Sequence, residues 1–375
     1  MPNFKYIILE IKDQIAKITL NRPEKRNAMS SDVLHEIDAA LDHILSSRRN
    51  KDTAARVVLF CGAGDHFTGG ADIREMRGLD NIKAYEFSRL GQYISQKLER
   101  FPLPIIAVIQ GYCVGGGIEL TSACDMRIAS KDAIFGQPEI NIGIVTGWGS
   151  SQRLPRIVGI SKAKELMYTG KMITADEAYN IRLIDMVVPR NKLESTALEI
   201  AEQIKSKPSA AIAAAKETVL QASLLPLDAG LEFERKAFGA LFGTHDQIEA
   251  MSAFLEKRKA KFTDTVDDFF NLNKFPWKSG CASNGSPMKT PAKQTSTSGS
   301  GKASMPFIMH PFMMPLTGLW GSDENSTIFS NHLSNPLFEQ WMDMQKAGAS
   351  IMQKQMEIML GNLMDVSKLI PKWLK

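Results

Sequence analysis

An apolar run rich in β-branched residues, 104–109, leads directly into the sequence Gln-Gly-Tyr-Cys-Val-Gly-Gly-Gly-Ile-Glu-Leu at 110–120. The run predicts a buried strand, the glycines predict a tight turn, and residues 118–123 predict a helix. This order places backbone N–H groups without intrahelical acceptors at a helix start, where they attract negative charge. Glu119 lies less than one turn into the helix. The stretch therefore combines an anion-stabilising turn with a neighbouring acid.

The same order of strand, glycine loop and helix occurs a second time, which predicts an α/β domain. A short apolar strand is expected at 56–61, and the glycine loop 62–73 leads from it into a helical stretch. Strands that alternate with helices are typical of α/β folds. Two pairs of strands are also expected, a hairpin at 6–10 and 15–20 and a pair at 126–130 and 133–135.

From about residue 161 the hydrophobic pattern becomes helical. Apolar residues recur at helical spacing in a series of segments with short polar connections. The expected helices span 175–180, 193–206, 210–222, 227–242 and 247–261. The domain thus has an α/β first part and a helical C-terminal part, and we place its end at residue 264.

The composition changes after this domain. Residues 278–304 are rich in Ser, Gly, Thr, Pro and Lys and have no hydrophobic periodicity, which predicts a flexible linker. Between Phe338 and Ile370 apolar residues, many of them Met, recur at spacings of three and four and predict an amphipathic helix. The predicted division is a domain at 1–264, a linker at 265–304 and a Met-rich tail at 305–375.

The charge of the chain gives no support for binding to nucleic acid. Its 45 basic and 41 acidic residues leave a formal net charge of +4, too small for an electrostatic footprint on phosphates. The 4 cysteines and 6 histidines have no metal-ligand spacing, so buried free thiols and no metal are expected. The N-terminus lacks a signal-peptide pattern, and no apolar run reaches the roughly 20 residues of a membrane span. We therefore expect a cytoplasmic protein.

Three loops carry backbone donors or carboxylates that could take part in a reaction. They offer backbone donors near Ala71, donors together with Glu119 near Gly116, and Glu139 ahead of Gly147. Each loop also has a purely structural interpretation. A Gly-Gly-Gly turn is commonly a chain reversal, a Pro-Glu pair after a strand is commonly a solvated helix start, and an Asp after glycines is commonly an N-cap. Spacing alone leaves both interpretations open.

Taken together and in order, these motifs resemble the crotonase superfamily. The segments are Phe-Thr-Gly-Gly-Ala-Asp-Ile at 67–73, Gly-Tyr-Cys-Val-Gly-Gly-Gly-Ile-Glu-Leu at 111–120 and Phe-Gly-Gln-Pro-Glu at 135–139. Asn-Arg-Pro at 21–23 with Asn-Ala at 27–28, Gln-Arg-Leu at 152–154 and the segment 251–259 agree with it. The resemblance covers about residues 1–264 and is closest to enoyl-CoA hydratase. It implies the crotonase fold, a spiral of ββα units followed by a helical C-terminal part.

The resemblance also implies a reaction, the addition of water across the double bond of a trans-2-enoyl-CoA. This addition pushes negative charge onto the thioester oxygen, and the backbone N–H groups of Ala71 and Gly116 match the donors that stabilise it. By the family pattern Glu119 orients and deprotonates the water, and Glu139 protonates the α-carbon. The backbone N–H of Gly147 matches the position that helps to hold the water.

Binding of coenzyme A is implied for a further set of residues. The matching positions are Lys25, Ala28, Ala71, Asp72, Ile73, Arg74 and Gly116, together with Phe254 and Lys257 from the C-terminal helix of the same or a neighbouring subunit. A solvated helix charge explains Lys257 equally well. The resemblance further implies a homotrimer or homohexamer, coenzyme A as part of the substrate, and no separate cofactor or metal.

Two residues depart from the family pattern. Thr146 stands where the family often has proline, and Trp148 stands where it often has a small residue. In this interpretation Trp148 borders the acyl pocket. Its size predicts a preference for short acyl groups, unless the ring points elsewhere.

Three other functions are open. Δ3,Δ2-enoyl-CoA isomerisation, or another crotonase-fold reaction, needs only one proton-shuttling carboxylate, so the two glutamates favour hydration. RNA binding through the helix at 72–89 is disfavoured, because this stretch carries equal numbers of acidic and basic residues. Two roles are open for the tail. In the first it forms an oligomerisation helix or packs on the enzyme. In the second it docks on a hydrophobic surface, such as a storage granule or membrane, or on a partner protein. Its helix has a faint similarity to granule-binding phasins.

Overall fold

The computed structural model of the protein describes residues 2–47 and 54–266. The predicted tail lies outside the described residues, and so does the predicted linker apart from residues 265 and 266. The proposed boundaries in this part of the chain therefore stay predictions. None of the helices within the described ranges has both the length and the apolar character of a membrane span.

The described ranges contain nine strands, eleven α-helices and short 3-10 helices. The strands are β1 (Ile7–Lys12), β2 (Ile15–Leu20), β3 (Val57–Gly62), β4 (Ile105–Ile109), β5 (Tyr112–Val114), β6 (Met126–Ser130), β7 (Ile134–Gly136), β8 (Met172–Thr174) and β9 (Met186–Val188). The helices are α1 (Ser31–Ser46), α2 (Ile73–Met76), α3 (Asn81–Glu99), α4 (Gly116–Thr121), α5 (Ser150–Val158), α6 (Ile160–Thr169), α7 (Ala175–Asn180), α8 (Leu193–Lys205), α9 (Ser209–Gln221), α10 (Leu227–Leu241) and α11 (His245–Leu255).

The strands form two sheets. The larger has the order β1-β2-β3-β4-β6-β9, in which β1 is antiparallel to β2 and all other neighbours are parallel. The smaller has the order β5-β7-β8, with β5 parallel to β7 and β8 antiparallel to it. The chain alternates between the sheets, so that β4–β5–α4 and β6–β7–α5 are successive ββα units. The expected architecture of ββα units followed by helices is confirmed.

Both faces of the larger sheet are buried at its central strands β3 and β4, as is usual for parallel strands. Along β3, Val58 and Phe60 point into the main core with α1 and α3. Val57 and Leu59 point to the other face, where α8 covers them with small residues such as Ala197. The loops that follow β3 and β4 therefore start from strands that are fixed by packing on both sides.

The predicted pairing of residues 126–130 with 133–135 is wrong. β6 lies in the larger sheet between β4 and β9, whereas β7 lies in the smaller sheet between β5 and β8. A short connection between two strands is typical of a hairpin. Here it carries the chain from one sheet to the other.

The predicted helix at 247–261 is also too long, since α11 ends at Leu255. Lys257 has a φ of 54° and follows the helix in the left-handed conformation. The N–H of Lys257 donates to the carbonyl of Phe254 at 3.3 Å, and that of Arg258 to Ala253 at 3.0 Å. This pair of bonds is a Schellman motif, which usually has glycine at the left-handed position. A lysine there leaves no sign of the helix end in the sequence.

A buried asparagine fastens the glycine loop that follows β3. Asn27 is 1% exposed and has a φ of 53°, a region that asparagine tolerates. Its Nδ2 donates to the carbonyls of Ala63 at 2.9 Å and His66 at 2.8 Å. Its Oδ1 accepts the N–H of Arg22 at 2.8 Å, and its own carbonyl accepts the hydroxyl of Thr68 at 2.7 Å. One side chain therefore ties two loops together.

We expect Asn27→Ala to lower the free energy of unfolding by about 2–4 kcal/mol, because it removes three hydrogen bonds and leaves their partners unpaired. Asn27→Gly removes the same amide but accepts the positive φ, so it should be less destabilised than the alanine variant. Urea unfolding followed by circular dichroism measures both. A loss below about 0.5 kcal/mol in both variants would contradict the fastening role.

Candidate active site

The glycine loops after β3 and β5 meet the 3-10 helix Pro138–Ile142 around a cavity of about 500 Å³. Six of the site residues predicted from the sequence line it: Ala71, Ile73, Gly116, Glu119, Glu139 and Gly147. The rest of the wall is largely apolar and includes Met76, Leu79, Ala84, Phe87, Ile142, Ile144, Val145 and Trp148. The arrangement thus places two carboxylates at a largely apolar cavity.

The turn between β5 and α4 requires glycine at successive positions. Gly115 has a φ of 53° and a ψ of −121°, a conformation open to glycine but not to other residues. A Cβ on it would lie 3.1 Å from Oε1 of Glu139. A Cβ on Gly116 would lie 2.5 Å from the ring of Trp148. The two glycines let the backbone approach the acid on one side and the indole on the other.

The N–H groups of Ala71 and Gly116 have no acceptor within the described part of the chain. The bonds that flank Ala71 use its neighbours instead: the carbonyl of Gly70 accepts from Met29, and the N–H of Asp72 donates to Met29, both at 2.9 Å. Gly116 is the first residue of α4, and the first N–H groups of a helix have no intrahelical acceptor. A Cβ on Gly70 would lie 3.6 Å from the nitrogen of Gly116, so the two loops are in contact.

Glu119 is held by backbone donors from the start of α5. Its carboxylate is almost fully buried, and Oε1 accepts the N–H of Trp148 at 2.7 Å and of Ser150 at 3.0 Å. Burial raises the pKa of Glu119, while the backbone N–H groups of residues 147–150 act against this rise. The partial positive charge of the α5 N-terminus favours the ionised form in the same way. Desolvation is the stronger of these effects.

Glu139 lies in a different environment on the same cavity. Burial raises its pKa to about 7, and the negative charge of Glu119 acts in the same direction. Its own backbone N–H opposes the shift. Glu139 therefore exchanges its proton near neutral pH. Two carboxylates in unequal environments are suited to act as base and acid in one reaction.

Two buried residues that the sequence did not identify connect the glutamates. Gln137 is 1% exposed, and its amide, oriented to satisfy both neighbours, donates to the two oxygens of Glu139 at 2.9 and 3.0 Å. The Oε1 of Gln137 accepts the hydroxyl of Ser150 at 2.5 Å. Because the N–H of Ser150 donates to Glu119, one chain of hydrogen bonds runs between the two acids. The Gly-Gln-Pro-Glu motif contains Gln137, but no local pattern marks Ser150.

A second cavity of about 550 Å³ adjoins the first and shares Gly69, Ala71 and Ile73 with it. The residues predicted to bind coenzyme A in this part of the chain all line it: Lys25, Ala28, Ala71, Asp72, Ile73 and Arg74. The carboxylate of Asp72 is already used, since Oδ1 accepts the N–H of Arg74 at 3.1 Å and Oδ2 pairs with Arg22 at 3.2 Å. Asp72 therefore caps α2 and shapes this cavity.

Phe254 and Lys257 line neither of these two cavities in the described chain. Phe254 is 82% exposed on α11, and Lys257 follows the end of that helix in an exposed position. Other large apolar residues of α10 and α11 are also exposed. They are Leu227, Leu231, Phe238, Ile248, Met251 and Leu255.

His245, Asp246 and Asp264 bring atoms that could bind a metal within 4.8 Å of one another. Backbone donors bind one oxygen of each carboxylate, whereas Oδ2 of Asp246 is buried and has no partner in the described residues. Oδ1 of Asp246 accepts the N–H of Thr263 at 2.7 Å and of Asp264 at 3.1 Å, and Oδ2 of Asp264 accepts the N–H of Asp246 at 2.8 Å. The cluster thus fastens the end of the described chain to the start of α11.

Comparison with known proteins agrees with this geometry. Residues 10–265 match the family model described as enoyl-CoA hydratase/isomerase. The chain is 42% identical over 254 residues to the short-chain-enoyl-CoA hydratase of Clostridium acetobutylicum, a match that covers 68% of this chain and 95% of that protein. It is also 42% identical over 260 residues to the crotonyl-CoA hydratase of Syntrophomonas wolfei, with 69% and 98% covered.

The same assignment follows from solved structures. The crystal structure of an enoyl-CoA hydratase from Bacillus anthracis matches with a TM-score of 0.65 at 36% identity, over 69% of this chain and 99% of that one. The predicted crotonase fold and the resemblance to enoyl-CoA hydratase are confirmed. The chain belongs to the enoyl-CoA hydratase/isomerase family.

Proposed function

We propose that the protein adds water to short-chain trans-2-enoyl-CoA thioesters and forms 3-hydroxyacyl-CoA. The observation that carries the proposal is a single cavity lined by two glutamates with unequal environments and by two free backbone N–H groups. The names of the relatives in Clostridium acetobutylicum and Syntrophomonas wolfei, which refer to short-chain enoyl-CoA and to crotonyl-CoA, support the substrate class.

The N–H groups of Ala71 and Gly116 are proposed to bind the thioester oxygen. Addition of water at the β-carbon moves an electron pair from the double bond towards this oxygen, which becomes an enolate. Donors that are already in position stabilise such a charge without reorganisation, and removing one typically costs about 3–4 kcal/mol of transition-state energy. Gly116 adds the partial positive charge of the α4 N-terminus.

Glu119 and Glu139 are proposed to move the protons. Ionised Glu119 takes a proton from the water as its oxygen bonds to the β-carbon, and the N–H of Gly147 helps to hold that water. Protonated Glu139 gives its proton to the α-carbon, and solvent exchange restores both acids. The atoms of water are thus added without any change in oxidation, so we propose that neither a metal nor a redox cofactor takes part.

Isomerisation and RNA binding have less support. Isomerisation would use one carboxylate, whereas Gln137 and Ser150 join two into one hydrogen-bonded unit. RNA binding is disfavoured because basic side chains of α3 form ion pairs with nearby acids. Lys83 lies 3.8 Å from Asp80, and Arg89 lies 2.5 Å from Glu86. A helix with paired charges is poorly suited to follow phosphates.

The preference for short acyl groups is supported by Trp148. Its side chain is 2% exposed and lies between Gly116 and Gly91 of α3, where a Cβ on Gly91 would come 2.1 Å from the indole ring. The ring also packs against Phe87, with centroids 5.4 Å apart. A bulky side chain held this firmly beside the proposed thioester site reduces the room for a long acyl group.

Oligomers are proposed from the apolar surface of α10 and α11. Large exposed apolar patches on a protein surface usually mark an interaction site. A homotrimer or homohexamer would bury this surface and bring Phe254 and Lys257 towards the coenzyme A cavity of a neighbouring subunit. The tail at 305–375 is proposed to dock on a hydrophobic surface or a partner protein, on the grounds of its Met-rich amphipathic sequence.

We expect Glu119→Gln and Glu139→Gln each to lower kcat for crotonyl-CoA by about 10²–10⁴-fold, measured as loss of absorbance of the conjugated thioester. In the unsubstituted protein kcat/KM should fall above about pH 7 as Glu139 loses its proton. Glu165→Gln, at a partly exposed acid on α6 that lines neither cavity, is the control and should keep the full rate. Full hydratase activity in Glu119→Gln would refute the assigned roles.

Trp148→Ala should shift activity towards longer substrates. We expect the ratio of kcat/KM for octenoyl-CoA over crotonyl-CoA to rise by about tenfold or more, because even one extra methylene in an apolar pocket is worth about 1–3 kcal/mol. Trp148→Phe is the matched control, since it keeps an aromatic ring and should change the ratio less. An unchanged ratio in the alanine variant would show that Trp148 does not limit chain length.

Truncation after residue 266 tests the tail. We expect the shortened protein to keep its hydratase rate and its oligomeric state but to lose co-sedimentation with storage granules or lipid vesicles. Light scattering and sedimentation measure these properties on both forms. If truncation instead dissociates the oligomer, the tail is an oligomerisation element, and the docking proposal fails.

A further inference from the structure

Two polar side chains of α3 hold one carbonyl group of the active-site loop. The hydroxyl of Ser88 donates to the carbonyl oxygen of Gly147 at 2.6 Å, and Nε2 of Gln92 donates to the same oxygen at 3.0 Å. A Cβ on Gly147 would lie 3.3 Å from Oγ of Ser88, so the helix and the loop are in close contact. Two donors on a single acceptor restrict its direction more than one does.

This carbonyl belongs to the same peptide unit as the N–H of Trp148. The peptide unit is planar and trans, so its C=O and N–H point in opposite directions and turn together. The N–H end donates to Oε1 of Glu119 at 2.7 Å. α3 and Glu119 are therefore attached to opposite ends of one rigid plane.

We propose that Ser88 and Gln92 are positioning residues for the hydration reaction, which keep Glu119 aimed for its role as base by fixing the Gly147–Trp148 peptide plane. This inference rests on the function proposed above. It adds a structural connection between the base and a helix that does not carry it.

The segment that precedes Gly147 is solvent-exposed, which makes this connection to α3 important. Residues 140–145 are exposed, and Gly143 and Gly149 have positive φ values of 77° and 123°. The next carbonyl, that of Trp148, accepts from Nη1 of Arg153 at 3.4 Å. Arg153 in turn pairs with Glu99 at the end of α3 at 2.8 and 3.0 Å. Two successive carbonyls thus depend on α3.

The same helix forms part of the wall of the acyl cavity through Ala84, Phe87 and Ser88. An acyl group in this cavity would contact the helix that sets the orientation of Glu119. Substrate binding and alignment of the base are therefore coupled through α3, with Ser88 at the point where the two meet.

Loss of the hydrogen bonds from Ser88 and Gln92 should change the pH dependence of kcat/KM. A weaker bond from the Trp148 N–H stabilises the Glu119 carboxylate less, so the pKa of Glu119 rises and the acidic limb of kcat/KM moves to higher pH. The charged groups near Glu119 in the described residues are Glu139 on the same cavity and Arg153, which pairs with Glu99. The variants below leave all three unchanged.

The test compares Ser88→Ala, Gln92→Ala and the double variant with Ser95→Ala. Ser95 is a matched control, because it is a fully buried serine of α3 whose hydroxyl has no partner in the described residues. We expect the double variant to lose about tenfold in kcat and to move the acidic limb up by about 0.5–1 pH unit, as a lost hydrogen bond of ordinary strength predicts. Ser95→Ala should change neither quantity.

An unchanged acidic limb in the double variant would overturn the inference, whether or not its melting temperature or kcat falls, because packing alone affects only these. Gln92 is exposed, so Gln92→Ala keeps the test valid if the double variant does not fold, with a smaller shift in the same direction expected. The proposed function is judged separately by the unsubstituted protein. If that protein does not hydrate crotonyl-CoA, the proposed function fails before any variant is compared.

Discussion

Burial of the Glu119 carboxylate is the constraint on which the site depends. A buried anion is tolerated only when donors replace the lost water, and here the donors are backbone N–H groups at the start of α5. That requirement fixes where α5 begins and which way the Gly147–Trp148 peptide faces. The hydrogen bonds continue from Glu119 to the second acid, because the hydroxyl of Ser150 donates to Gln137, whose amide donates to Glu139. The geometry of the second acid is thus set in part by the way the first is solvated.

Glycines at several positions let the backbone come close to the side chains that line the cavity. Gly91 and Gly116 both contact the indole of Trp148, and Gly115 faces the carboxylate of Glu139. These contacts bring α3, α4 and the loop before α5 to one point. A methyl group at either Gly91 or Gly116 would displace the indole and with it the wall of the cavity. The α/β part of the domain therefore converges on the cavity through residues that have no side chain of their own.

Local pattern and motif order were sufficient to predict the fold and the residues around the cavity. Strand, glycine loop and helix are short-range features, and Glu119 and Glu139 lie inside motifs that carry the family resemblance. The pairing of β6 and β7 was predicted wrongly because a short connection between two strands does not show that the chain changes sheets. The end of α11 was missed because Lys257 takes the position that glycine normally marks. No local sequence pattern indicates the role of Ser88 and Gln92, since the carbonyl that they bind, that of Gly147, lies 59 and 55 residues further along the chain.

The raised pKa of Glu139 also has a thermodynamic consequence for the fold. Its folded-state pKa of about 7 exceeds the ordinary value of 4.5, so the folded form holds a proton that the unfolded chain releases between these values. As pH rises through this range, ionisation in the unfolded state draws the equilibrium away from the native state. Burial acts on Glu119 in the same direction. Near neutral pH the two buried carboxylates of the cavity therefore oppose folding, and the remaining contacts must supply the free energy that keeps the domain folded.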